Sequence, residues 1–361
     1  MKNVKIEMTQ NNKTILSCYR NVENDFDIMQ SNIKDVFVEQ FNIFENLDCS
    51  DIDLNKCFNI HIRDWQDRVI DFDLFAYRKY NDVCYTGKDI LIYENTLCSK
   101  QEVLDLSENN PDKCILSYNF KPRYKIKNKM NFGFELEISC GISSNLKTLI
   151  VELVNENLLG DDKIILKSDS SITGQNSVEI VTAPVSIKEI YNIAIKLSDI
   201  FKKFDNTAKG HNVGGMHIHC SHLNNNIKVL RLINFIFNND NYDFLTKISQ
   251  RNSNRFCEYD ITKVADIQEI IDLSLSKKNK KFYNNDRYAA LNFTKNTIEF
   301  RIFNSNLRRE RLLKNLNFVE AILSFISSKK YTKYATNFEE FVNKSRKYKY
   351  LKDFIKYSNE Q

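Results

Sequence analysis

The sequence predicts an α+β fold in which a largely antiparallel sheet carries flanking helices on one face. Three observations point there. Residues 131–139 and 214–221 alternate apolar and polar side chains with a period of two, the pattern of half-buried strands. Two more strand-like runs, 288–293 and 297–303, are separated only by Thr294, Lys295 and Asn296, a hairpin connection. Longer stretches with apolar residues at helical spacing lie between and after them.

Along the chain, residues 1–125 hold short amphipathic pieces, a mixed acidic stretch near 45–53 and strand-like runs such as 90–93. No motif gives this N-terminal region a role. Residues 126–361 are more regular. Phe132, Phe134, Leu136 and Ile138 alternate with Gly133, Glu135, Glu137 and Ser139 as a first strand. A helix over 146–159 and a strand over 164–167 follow. Residues 177–183 form another strand, which Pro184 stops because proline has no N–H for a ladder. Ser186 with Glu189 makes a capping box opening a helix to about residue 204, with Ile187, Ile190, Ala194, Leu197 and Phe201 on its buried stripe. In the next strand Met216, Ile218 and Cys220 point inward, and His217, His219 and Ser221 outward. Helices over 227–237 and 242–249 precede the hairpin. Helices over 307–326 and 337–357 close the chain, the last capped by Thr336 with Glu339.

A length of 361 residues allows one large domain or two, and 42% hydrophobic content is enough for a core. The net charge of +5 among 27% charged residues is too weak to call for nucleic acid. Residues 1–13 lack the apolar stretch of a targeting segment, and no apolar run is long enough to span a membrane. A cytoplasmic protein with no membrane partner is therefore expected. Nine scattered cysteines without a Cys-x-x-Cys pair favour reduced thiols over a disulfide framework. Cys84 and Cys98 sit in loose zinc-knuckle patterns, but two cysteines cannot close a four-ligand site. The absence of Gly-x-Gly-x-x-Gly and Gly-Lys-Ser/Thr loops removes support for Rossmann and P-loop folds.

The chemistry is carried by polar residues at strand spacing. Side chains two apart in a strand share a face, roughly 6.5–7 Å from one another. Glu135 with Glu137, His217 with His219, and Glu299 with Arg301 therefore share polar faces. Mg²⁺ takes oxygen ligands and bridges carboxylates to nucleotide phosphates. Glu135, Glu137, Glu179 and Glu299 supply such a set, with Asp169 near them and His217 as a nitrogen ligand. Packed carboxylates cannot all stay ionised without cations, so their clustering itself argues for metal. A solvated strand face explains any one of these Glu residues equally well, but not their joint occurrence. His217 and His219 admit a second reading, a zinc site completed by His211 or His222, whereas His61 reads as structural. Arginine beside a metal is best explained by phosphate, and Arg251, Arg255, Arg287 and Arg301 are the candidates. Caps or solvent explain the polar run 251–255 equally well, and the Lys-rich run 277–281 reads as a mobile solvated loop.

Four pieces, in this order and spacing, resemble the glutamine synthetase-like carboxylate–amine ligases, specifically their amidoligase branch. They are Gly133–Glu137, Asp169 through Pro184, Gly215–Ser221, and Arg287–Asn292 leading to Thr297–Arg301, within residues 131 to about 330. Gly215-Met-His-Ile-His219 resembles the Gly-Met-His-x-His of glutamine synthetase, and Ile298-Glu-Phe-Arg301 its Glu-x-Arg strand. The resemblance implies a glutamine synthetase-like catalytic core, ATP, two or more Mg²⁺ or Mn²⁺ ions and an acyl-phosphate intermediate. It implies Glu135, Glu137, Glu179, Glu299 and His217 as metal ligands. It sets His219, Arg287 and Arg301 at the nucleotide phosphates, with Arg287 on the transferring phosphoryl group. Asn212 and Gly214 resemble the loop that holds the carboxylate substrate, and Asp169 an acidic residue that orients or deprotonates the amine.

Two departures matter. Residues 1–125 show no counterpart of the small N-terminal domain of glutamine synthetase, and the Gly-rich loop before the histidines is shorter. Free glutamate held in the same way is therefore not expected. The leading reading is an ATP-dependent ligase joining a small-molecule or peptide carboxylate to an amine. The alternatives are a metal-dependent hydrolase using His217, His219 and carboxylates without ATP, and a degenerate ligase scaffold used for binding.

Overall fold

A computed structural model describes the strand backbones of residues 2–10, 13–22, 57–63, 69–79, 82–87, 90–93 and 96–99. It also describes residues 100–118, 130–160, 163–223, 225–264, 286–294 and 297–360. The acidic stretch 45–53, the Lys-rich run 277–281, the turn residues Lys295 and Asn296, and the side chains of His61, Cys84 and Cys98 lie outside the described residues.

The chain divides into two compact units, Met1–Asp105 and Leu106–Gln361. In the first, β1 (Lys2–Gln10), β2 (Lys13–Val22), β3 (Cys57–Arg63), β4 (Val69–Lys79) and β5 (Asp82–Gly87) form a sheet ordered β2-β1-β3-β4-β5. Every pairing in it is antiparallel. A separate hairpin joins β6 (Ile90–Tyr93), one of the runs expected as a strand, to β7 (Thr96–Ser99). Helix α1 (Lys100–Asn109) follows.

The second unit is built on a six-stranded antiparallel sheet. Its strands are β8 (Phe132–Ser139), β9 (Ile164–Lys167), β10 (Ser177–Thr182), β11 (Gly215–Ser221), β12 (Leu291–Phe293) and β13 (Thr297–Asn304). They run in the order β12-β13-β11-β8-β10-β9, so the α+β reading holds. The period of two does its work here: Phe134, Leu136, Ile138, Ile180, Met216, Ile218, Ile298 and Phe300 are all fully buried. Carboxylates and histidines are left to the opposite face.

Helices cover the apolar face. They are α2 (Ser143–Asn155), α3 (Ile187–Phe201), α4 (Asn226–Ile236), α5 (Tyr242–Ser249) and α6 (Arg309–Ile326). The capping box that opens α3 is present, Ser186 Oγ accepting from Glu189 N and Glu189 Oε2 from Ser186 N. Helix α2 stops short of the expected residue 159, with Asn157 turned to φ 53°, a left-handed conformation that Asn tolerates. Helix α6 is buried nearly all round because it lies between the sheet and other helices. Phe318 meets Phe303 of β13 at 5.7 Å between ring centroids, and Asn315 Nδ2 donates to Met216 Sδ of β11.

The expected helix over 337–357 is instead two, α7 (Ala335–Lys344) and α8 (Lys349–Asn359). Thr336 lies inside the first turn of α7 rather than capping a helix. The packing explains the break. Phe338 and Val342 are buried on α7, and Leu351 and Ile355 on α8. Val342 and Leu351 are nine residues apart, which on one continuous helix turns them to opposite sides. The break at 345–348, with Tyr348 at φ 61°, re-aims the second stripe inward. Asn317 of α6 then caps α8, its Oδ1 accepting from Tyr350 N at 3.1 Å while its Nδ2 donates to Tyr191 Oη at 2.6 Å. Asn317→Ala is expected to cost about 2–3 kcal/mol, since it strips partners from buried polar groups. A denaturant midpoint equal to that of the unaltered chain would refute this cap.

Cys114, Cys140, Cys220 and Cys257 are free and buried, as the reading of reduced thiols expects. Among the described residues no helix is long and apolar enough to cross a membrane.

Candidate active site

The polar face is assembled by register. Glu179 on β10 stands opposite Glu137 on β8, and His217 on β11 stands opposite Glu135. His219 pairs with Glu299 on β13, and Glu299 in turn with Asn292 on β12. Four adjacent strands thus turn their ionisable residues onto one floor, and β12 adds the Asn292 amide beside them. Above it lies a cavity of about 880 Å³. All eleven residues to which the family resemblance gives a role line it: Glu135, Glu137, Asp169, Glu179, Asn212, Gly214, His217, His219, Arg287, Glu299 and Arg301.

Two groups on this floor have the geometry to hold a cation. Ligand atoms of Glu135, His219 and Glu299 lie within 4.8 Å of one another, and so do those of Glu137, Asp169 and Glu179. His217 stands between them, its Nδ1 3.4 Å from Glu135 and 3.6 Å from Glu299, its Nε2 3.8 Å from Glu137. The Nε2 atoms of His217 and His219 are buried without a hydrogen-bond partner, 3.8 Å from Glu137 Oε1 and 3.5 Å from Glu135 Oε1, and so are free to take a ligand.

The charges on the floor strain against one another. Burial, then the negative charges of Glu135, Glu137 and Asp169, push the Glu179 carboxyl up to about 8, with Lys167 opposing them. Burial works against charge on His219 too, but the Glu135 carboxylate beside it raises the imidazole to about 9. Burial alone would raise Glu135, yet contacts with His219 and His217 hold it well below the usual carboxylate range. The floor relieves this repulsion by taking up protons, on the Glu179 carboxyl and on the His219 imidazole beside Glu135.

Local structure fixes each ligand. Glu137 Oε2 accepts from Gly215 N, and a Cβ on Gly214 would stand 2.4 Å from Glu137 Cβ, so only glycine fits beside this carboxylate. Glu299 accepts from Asn292 Nδ2 at 2.7 Å and from Arg301 Nη1 at 2.5 Å. Arg301 Nε also donates to Phe256 O, so its guanidinium plane is set. Arg287 is exposed on the cavity rim and stacks on the Tyr288 ring, 4.7 Å from its centroid. Asp169 follows β9, its Oδ1 accepting from Ser171 N at 2.7 Å. Asn212, at φ 64°, is tied to Asn304 through its N–H and its side-chain oxygen.

One device on β13 was not legible from spacing. Glu299 and Asn304 are five residues apart, which in a regular strand would set them on opposite faces. A register shift lies between Met216 and Ile218, where Ile218 faces Phe300 and Met216 faces Phe303. Arg301 and Ile302 therefore stand opposite His217 alone, and this bulge returns Asn304 to the cavity. Arg251 clamps it, Nη1 donating to Arg301 O at 2.9 Å and Phe303 O at 3.4 Å. Arg251 lines the cavity, but part of its guanidinium is committed to backbone. Arg255, the other arginine of that run, stacks on Phe256 and does not line the cavity.

Sequence reasoning also assigned nothing to Tyr118, Gln250, Asn252, Asn254 and Tyr288, which line the walls. They sit outside the strands, where periodicity carries no signal. Tyr288 and Asn292 both lie inside the Arg287–Asn292 motif, which gave neither of them a role. His211 and His222, proposed to complete a zinc site, neither line the cavity nor join a metal-capable group among the described residues.

A comparison with curated proteins finds no match. Residues 128–323, more than half of the chain, match a family described as "putative amidoligase enzyme" and include every residue of the polar floor. The chain therefore belongs to the amidoligase family, ligases of the amide-bond-forming type.

Proposed function

We propose that the chain is an ATP-dependent ligase that joins a carboxylate to an amine through an acyl phosphate, with two Mg²⁺ or Mn²⁺ ions on the sheet floor. The observation that supports this is the pair of metal-capable groups beneath one cavity that also holds Arg287 and Arg301. The residues fit such ions. Carboxylate oxygens are the hard ligands they prefer, and the orphaned histidine nitrogens and the raised Glu179 both call for added positive charge. Bound there, the cations would neutralise phosphate oxygens and hold ATP in line with the attacking carboxylate.

The chain's own groups divide the remaining work. Arg301, already oriented by Glu299 and Phe256, presents a fixed guanidinium to a phosphate oxygen. Arg287, exposed at the rim, follows the phosphoryl group as it transfers. His219, whose Nδ1 lies 3.1 Å from Thr297 Oγ1, serves as ligand or phosphate contact from the same position. Asn212 and Gly214 hold the carboxylate substrate. Its oxygen attacks the γ-phosphorus and ADP leaves; the amine nitrogen then attacks the carbonyl carbon and phosphate leaves. The proton shed by the amine passes to Asp169.

Nucleotide binding tests this reading. A non-hydrolysable ATP analogue with Mg²⁺ is expected to bind in calorimetry, and Arg301→Ala to weaken it about tenfold to a hundredfold, the worth of a hydrogen bond to a charged group. Purified protein carrying stoichiometric zinc and binding no nucleotide would reject the ligase reading for the hydrolase.

A further inference from the structure

Lys167 ends β9 directly opposite Glu179 on β10. Its Nζ lies 3.6 Å from Glu179 Oε2, and its side chain is only 14% exposed. The Tyr118 ring lies 5.2 Å from the ammonium, which offsets part of the hydration the ammonium has lost. Glu179 is in turn one of three carboxylates, with Glu137 and Asp169, whose oxygens gather within 4.8 Å. His217, 3% exposed, brings its buried, unpartnered Nε2 to 3.8 Å from Glu137 Oε1. With all three carboxylates ionised, as a bound cation would hold them, three carboxylates and one ammonium leave two negative charges. A divalent cation cancels them, whereas a trivalent one leaves an excess positive charge that is costly away from water.

We propose that Lys167 is a positioning and specificity-determining residue of the Glu137–Asp169–Glu179 group, neutralising one carboxylate so that the group is matched to a divalent ion. The role rests on the metal reading of this floor given above. By Coulomb's law the ammonium repels a trivalent ion one and a half times as strongly as a divalent one at the same place. Removing it relieves both, and the trivalent ion more. The Glu135–His219–Glu299 group lies beside Arg301 rather than Lys167 and serves as an internal reference.

The test is Lys167→Met, which keeps the stem and removes the charge, titrated with Mn²⁺ by calorimetry and with Tb³⁺ by luminescence. Tb³⁺ binding is expected to tighten by about tenfold or more and Mn²⁺ binding by a smaller factor, with the reference group unchanged. Lys167→Arg should keep the selectivity of the unaltered chain. Should Lys167→Met fail to fold by circular dichroism, Lys167→Gln carries the same comparison. An unchanged ratio of the two affinities, or equal weakening of both ions, would overturn the proposal and leave Lys167 a mere prop for Glu179. An unaltered chain that binds neither ion would instead overturn the metal reading itself, and the role of Lys167 with it.

Discussion

Glu299→Gln is expected to lower the ligation rate about a thousandfold while the fold survives, since losing the proposed metal ligand would remove several kcal/mol of charge stabilisation. Glu299 is 4% exposed and holds two donors, Asn292 Nδ2 and Arg301 Nη1, on its two oxygens. Gln offers one acceptor in place of two, so one hydrogen bond is lost, at about 1–3 kcal/mol of stability. That structural cost is smaller than the catalytic one. Thermal denaturation separates the two effects. Mn²⁺ should raise the melting temperature of the unaltered chain by mass action on the native state, and raise that of Glu299→Gln by much less. Equal Mn²⁺ stabilisation of both proteins would remove Glu299 from the metal ligands.

The second large effect concerns Asp169. Its Oδ1 accepts from Ser171 N, and Asn keeps that acceptor, so Asp169→Asn removes charge while preserving the loop. Hydroxylamine, a strong nucleophile, needs no protein base and traps an acyl phosphate as a hydroxamate. Asp169→Asn is therefore expected to retain trapping and to slow condensation with the natural amine by about a hundredfold or more, the usual worth of a general base. Arg287→Ala should depress both steps if it acts on the phosphoryl group as proposed. Asp169 lies within 4.8 Å of Glu137 and Glu179 ligand atoms, so it also stands to lend a carboxylate oxygen to a metal, which Asn keeps. Equal loss of trapping and condensation in Asp169→Asn would leave it that role alone.

Most of the floor could be read from sequence because a strand repeats with an integral period. Glu135, Glu137, Glu179, His217, His219 and Glu299 each alternate with buried apolar neighbours, and antiparallel pairing of such strands leaves the polar residues one shared face. Lys167 escaped notice because its significance lies in the register, opposite Glu179, and a strand-terminal lysine by itself suggests only solvent. The β13 bulge hid Asn304 by breaking the parity on which the reading depended. Arg251 looked like a phosphate contact, whereas the carbonyls it serves belong to a strand fifty residues later. The split between α7 and α8 was legible in principle, in the half-turn of phase between Val342 and Leu351, but a capping pattern at Thr336 and Glu339 suggested one helix. Wall residues such as Tyr118, Gln250 and Asn252 reach the cavity through loops, and no local pattern announces them.

ADP release by the full chain is the most direct test of the account, measured with ATP and Mg²⁺ over pooled carboxylates and amines, with products read by mass spectrometry. The account predicts ADP formation that requires both a carboxylate and the metal, is abolished by chelation, and is accompanied by a product whose mass equals acid plus amine less one water. Hydrolysis of an amide or ester in the same pools, proceeding without ATP, would contradict it.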